Sequence, residues 1–209
     1  MVEVASALPE AICDELRELI VDQSYAPGTS ITESAVALRF GVARPTAKMA
    51  IERLVTEGLL RRELHQSARV PQLDATDIID LFDNRAVIES AAVAALQAVP
   101  ADAVSAHRAL LASDGTFAKD DIAFHRALVA GQPSPRLARM HALLMGEIEL
   151  CIGQVQAAHL LTAAEIGAQH QGILDAITAG DAAEASRLTT EHIAGSRDRL
   201  LSHQRNHRG

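Results

Sequence analysis

The sequence predicts a mostly α-helical chain, an N-terminal winged helix-turn-helix followed by an antiparallel bundle of six or seven helices. Three observations predict it. Ala and Leu are abundant while aromatics are scarce (four Phe, one Tyr, no Trp), a balance that suits helices better than a β-sandwich. Apolar residues recur at helical spacing through most of the chain. Explicit Gly and Pro breaks then cut that pattern into segments of ordinary helix length.

The first helix is expected from about Pro9 to Gln23, with Ile12, Leu16, Leu19 and Ile20 on one face, and Pro27-Gly28 breaks the chain after it. Ser30 with Glu33 three residues on reads as a capping box for a second helix, ending near Phe40-Gly41. A third helix is expected from about Ala43 to Gly58, with Met49, Leu54 and Val55 among its apolar positions. The run LLRRELHQSARVPQL has apolar ends and a polar tip, as a short hairpin would. Helix, helix, turn, helix, hairpin is the order of a winged helix-turn-helix.

Composition changes at Pro71-Gln72-Leu73-Asp74, which reads as the linker between residues 1–72 and 73–209. Six helical segments are expected beyond it, at about 75–98, 101–112, 114–131, 135–157, 161–179 and 181–205. Ser134-Pro135 is a good helix start, with Ser as N-cap and Pro at the first helical position. Helices of this length joined by short breaks imply an antiparallel bundle.

The net charge of −8 argues against indiscriminate binding to nucleic acid, but its distribution is uneven. From Arg39 to Val70 there are seven basic and three acidic residues, whereas from Asp74 onward there are 11 basic and 17 acidic ones. One part of the chain is therefore suited to phosphate and the other is not. No stretch of 18 uncharged apolar residues and no basic, apolar leader is present, so neither a membrane span nor a signal peptide is expected. Cys13 and Cys151 suggest small buried hydrophobes in a reduced, cytoplasmic setting rather than a disulfide framework.

Asp121 and His125 are spaced i, i+4 and share a helical face, while His170 and His192 sit in the apolar patterns of two further helices. A single buried histidine is ordinarily a core residue with one hydrogen bond. Three imidazoles and a carboxylate together form a borderline-soft set able to hold a divalent transition metal. Zinc leads that list, and nickel, manganese and iron are also allowed by the ligands.

Taken in order, these residues resemble the GntR family of bacterial transcription regulators, in the FadR-type branch with an FCD effector domain. The N-terminal resemblance rests on Pro27-Gly28, Ile31-Thr32-Glu33, the run Gly41 to Ile51 (GVARPTAKMAI), Leu54 and Glu57-Gly58-Leu59. The C-terminal resemblance rests on Arg85 with Glu89, Asp121 with Phe124-His125, Gln169-His170 with Ile173, Ala176-Ile177, Gly180-Asp181 and His192. Six C-terminal helices resemble the smaller VanR-like subgroup. Departures occur at Ala43, Lys48, the wing tip His65-Gln66-Ser67, Ser134 and Gln169, where the family commonly has Ser, Arg, Gly, Asn and Glu.

The resemblance implies a homodimer, held through the helical domain, reading an inverted-repeat operator in double-stranded DNA. Arg44, Thr46 and Lys48 would then stand near the N-terminal end of the recognition helix. Arg61, Arg62 and Arg69 would hold the wing on phosphates. It also implies metal ligation by Asp121, His125, His170 and His192, with Arg85 binding a small carboxylic-acid effector, and repression released by that effector as the default. Two rival readings stand beside it. An open Asp-His₃ site can activate water in a metalloenzyme, although no general acid or base lies near the ligands in sequence. Alternatively, the metal is purely structural and DNA binding needs no effector.

Overall fold

The computed structural model describes the backbone of residues 2–207 and the side chains of residues 8–206. Helix α1 (Val2–Val21) buries Ile12, Leu16 and Ile20, the face expected from the sequence, but it begins before Pro9, which lies inside it. Strand β1 (Ser30–Ile31) follows, then helix α2 (Glu33–Phe40). The N-cap of α2 is Thr32, whose hydroxyl accepts from the Ala35 N–H, and not Ser30. Ser30 is drawn into β1 by long-range pairing with Arg69, a contact that local capping chemistry does not reveal.

Helix α2 ends at Gly41 in the left-handed conformation (φ 63°), which glycine adopts without a Cβ clash. Helix α3 (Arg44–Thr56) starts at Ala43 with no side-chain cap, as expected from the missing hydroxyl there. Its core face is Ala47, Ala50, Ile51 and Leu54; Met49, expected among the apolar positions, is 57% exposed. The wing is built from strand β2 (Ala68–Arg69), antiparallel to β1, and an Arg61–Arg69 bridge with two backbone hydrogen bonds of 2.8 Å. At the tip His65 takes φ 62°, the conformation for which glycine is the usual choice.

Residues 70–74 lead from the wing into the bundle. They are not a loose tether, because Val70, Pro71 and Leu73 are buried. Helix α4 (Ala75–Ala94) opens with a capping box between Asp74 and Asp77. Helices α5 (Ala101–Ala112), α6 (Ala118–Gly131), α7 (Pro135–Ala157), α8 (Ala163–Thr178) and α9 (Ala182–His207) complete the six C-terminal helices of the described residues.

Two boundaries in the bundle differ from expectation by four residues. Helix α4 stops four residues early, and Leu96 and Val99 turn back onto the apolar cluster around Phe124 and Ile173. Helix α6 starts at Ala118 rather than 114, after a turn at Gly115 (φ 108°) and the buried Phe117. Ser134 caps α7 as expected, accepting from the Leu137 N–H.

Helix α4 lies along α9 and also packs on α6 and α7, α5 packs on α6 and α8, and α8 returns against α9. One apolar cluster runs from Ile78 and Phe82 through Ile148 and Ile152 to Ile193 and Leu200. The N-terminal elements have their own cluster around Leu16, Ile51, Leu54 and Leu60, which Leu150 of α7 joins. No helix among the described residues is long and apolar enough to cross a membrane.

Candidate metal centre

Helix α6 carries Asp121 in its first turn and His125 one turn on, on the face turned toward α8 and α9. His170 comes from α8 and His192 from α9, which the Gly180–Asp181 turn sets antiparallel. One ligand atom from each of the four residues lies within 4.8 Å of the others, and all four residues are buried. The four residues singled out in the sequence thus meet in space.

Four of the six separations lie near those of a coordination shell. His125 Nε2 is 3.0 Å from His192 Nε2, and Asp121 Oδ1 is 3.2, 3.7 and 3.8 Å from the Nε2 atoms of His170, His125 and His192. A tetrahedral ion with bonds of about 2.0–2.1 Å would have ligand atoms about 3.3 Å apart.

Hydrogen bonding behind the rings fixes which nitrogens face inward. His125 Nδ1 donates to Glu89 Oε2 at 2.5 Å, because a carboxylate can only accept. His192 Nδ1 donates to Gln169 Oε1 at 2.6 Å. In the neutral tautomers both Nε2 atoms are then bare lone pairs, aimed at each other and at a carboxylate. With no cation that arrangement is repulsive; with one it is the usual acceptor–histidine–metal relay. His170 Nε2 is near Asp121 but is not aligned as a hydrogen bond, and neither of its ring nitrogens has a hydrogen-bond partner. A buried imidazole left so is costly. Its ring stacks on Phe124, centroids 3.8 Å apart, which holds its orientation.

Protonation agrees with this geometry. Burial pushes His170 down to about 4, and burial together with its two neighbouring imidazoles pushes His192 well below its ordinary value. Burial alone would raise Asp121, but the facing imidazoles of His170, His125 and His192 outweigh it and hold the carboxyl well below the carboxylate range. Neutral imidazoles beside an ionised carboxylate are the forms that bind a divalent cation.

Arg85 on α4 is buried and its Nε donates to Glu89 Oε1 at 2.7 Å, while its Nη1 has no hydrogen-bond partner. Glu89 is the hub of the surroundings. Burial would raise its pKa, but Arg85 and His125 pull it well down, and His141 Nε2 donates to it at 2.9 Å. The sequence alone assigns no role to Glu89, Gln169 or His141. Two signals were available: Glu89 follows Arg85 by four residues, and Gln169 directly precedes His170.

The residues expected to meet DNA fare unevenly. Arg44 and Lys48 are exposed one turn apart on α3, Lys48 3.5 Å from Glu52, and Thr46 is half-buried. Arg69 Nη1 donates to the Gly28 carbonyl at 3.2 Å, and Arg62 lies 3.9 Å from Glu33. Arg61 is committed elsewhere: its Nε and Nη2 both reach Glu147 Oε1 on α7, at 3.1 and 2.6 Å.

Known proteins resemble both halves of the chain. The model of the family described as bacterial regulatory proteins, gntR family, matches residues 8–70, and that of the FCD domain matches residues 80–195. A protein named HTH-type transcriptional repressor NanR, from Cronobacter sakazakii, is 27% identical over 89% of this chain and 82% of its own length. A protein of Paenarthrobacter nicotinovorans, named a probable D-xylose utilization operon transcriptional repressor, is 25% identical over 88% of this chain and 86% of its own. A solved GntR structure from Rhodococcus sp. RHA1 superposes with a TM-score of 0.78 at 24% identity, covering 93% of this chain and 97% of that one.

Proposed function

Because the chain belongs to the GntR family of bacterial transcription regulators, with an FCD domain behind its winged helix, we propose that it is a DNA-binding repressor that senses a small carboxylate. In this reading residues 1–72 read the operator and residues 73–209 sense and dimerise. A divalent metal is held by Asp121, His125, His170 and His192. The observation that carries the reading is the convergence of the His125 and His192 lone pairs, 3.0 Å apart, on an ionised carboxylate.

When bound, a divalent metal supplies a Lewis-acidic centre for carboxylate oxygens. The chain's own residues do the rest. Glu89 and Gln169 set the tautomers of His125 and His192. Glu89 also fixes Arg85 through Nε, leaving Nη1 to donate to an anion. Arg85 and Glu89 sit on α4, whose first turn follows directly on residues 70–74, with Val70, Pro71 and Leu73 buried, and on β2. A shift of α4 on anion binding therefore reaches the wing, and two copies on an inverted repeat convert it into a change in half-site spacing. Such a switch requires different effector affinity in the two states.

A purely structural metal is favoured by one observation, that all four ligands are buried and Arg85 is already paired with Glu89. The unpartnered Nη1 favours the sensing role instead. A thermal-shift screen of small carboxylic acids on metal-loaded protein separates the two. At least one acid should raise the melting temperature, and His170→Ala should abolish both the metal and the acid stabilisation. If acids still stabilise that variant, the metal is not their anchor.

A further inference from the structure

Helix α7 presents a face toward the DNA-reading head on which Gly146, Glu149, Leu150 and Gly153 fall at i, i+3, i+4 and i+7. Both glycines are close approaches of backbone to backbone. A methyl placed on Gly146 would lie 1.9 Å from the Glu57 carbonyl oxygen and 2.7 Å from the Leu59 nitrogen, where α3 turns into the wing. On Gly153 it would lie 2.1 Å from the Val21 carbonyl oxygen at the end of α1. Leu150, between them, is wholly buried in the head's own apolar cluster.

Glu149 clamps this contact and is itself buried. Its Oε2 accepts from Arg17 Nη1 of α1 at 2.8 Å, and its Oε1 accepts from Arg126 of α6, the residue next to His125. Arg17 also pairs with Glu57 at the C-cap of α3. A chain of charge pairs thus runs from the helix carrying Asp121 and His125 to the end of the recognition helix. Arg61 with Glu147 adds a tie from the wing to the same helix.

We propose that this glycine-notched face of α7 is the docking surface for the chain's own DNA-reading head, so that head and bundle move and unfold as one unit. None of the contact's residues is one of the four metal-site residues. The contact supplies a second connection, beside α4, through which a change in the bundle reorients α3.

Scanning calorimetry of the full chain tests it. The wild-type protein should melt in one transition. The double variant Gly146→Ala/Gly153→Ala should split it in two, the lower at least about 5 °C beneath the upper, since shifts of 4–8 °C attend modest losses in domains of this size. Glu149→Gln keeps the shape but removes the charge from between two guanidiniums, and should split the transition likewise. Gly172→Ala is the control: a methyl there meets Leu188 at an ordinary 3.5 Å, so one transition should persist. Added zinc should raise the single wild-type transition, but only the upper one in the split variants. Two transitions in the wild type, or a single transition in both the double variant and Glu149→Gln, overturns the proposal. If zinc moves no wild-type transition, the metal reading fails, while the number of transitions still decides the docking.

Discussion

His125 and His192 face each other through Nε2 atoms 3.0 Å apart, each with its opposite ring nitrogen already donating to an acceptor. This tautomer lock distinguishes the cluster from three histidines that merely share a core. It also makes the acceptors behind the rings as testable as the ligands.

Gln169→Leu should weaken zinc binding by about 10–100-fold, the usual effect of losing a partner behind a ligand histidine. Gln169→Glu should restore or exceed the wild-type affinity, because a carboxylate makes the ring more basic. Competition against a chromogenic chelator at fixed pH reads both. Equal affinity of the Leu variant and the wild type would leave Gln169 without this role.

Acid should destabilise the metal-free protein well before its carboxylates titrate. The unfolded chain protonates His170 near pH 6.5, whereas burial delays that to about 4 in the folded chain. Between those values the unfolded state binds more protons, so stability falls as pH falls. His170 alone accounts for a loss of about 2–4 kcal/mol across the window. Urea midpoints at pH 7 and pH 5 should show the drop, and His170→Phe should shrink it, leaving the part that His192 contributes.

Glu147→Gln should release Arg61 from α7. Binding to a duplex of arbitrary sequence should then strengthen at low salt, and its salt dependence should steepen by about one phosphate contact. An unchanged slope would mean that Arg61 does not reach the backbone even when free.

His65→Gly should stabilise the head despite removing a side chain, because His65 is held at φ 62°. A left-handed conformation costs a non-glycine residue about 1–2 kcal/mol, and the larger chain entropy of glycine returns part of that. A net gain of about 0.5–1 kcal/mol in urea unfolding is expected.

Much of the fold and the cluster could be read from the sequence because the signals are local or periodic. Gly41, Ser134-Pro135 and Gly180-Asp181 mark chain reversals by their own backbone chemistry. His170 and His192 stood out because imidazoles interrupt apolar stripes. What escaped depends on partners distant in sequence. Ser30 lost its capping role to a strand partner 39 positions away, and Arg61 found Glu147 across 86. Glu89 looked like half of a helical ion pair with Arg85, and only the packing of α4 on α6 and α7 makes it the hub for His125 and His141. Gly146 and Gly153 inside α7 gave no warning either, since helical glycines alone do not name what approaches them.

Those two glycines also bear on engineering. GntR regulators invite the exchange of reading heads between sensors, as though the join at Asp74 were a universal connector. Here a transplanted head must also bring main chain that fits against Gly146 and Gly153, together with an arginine in the place of Arg17. A chimera cut only at the linker would keep both modules intact and lose the conversation between them. Carrying the matching face of α7 along with the head is the more promising design.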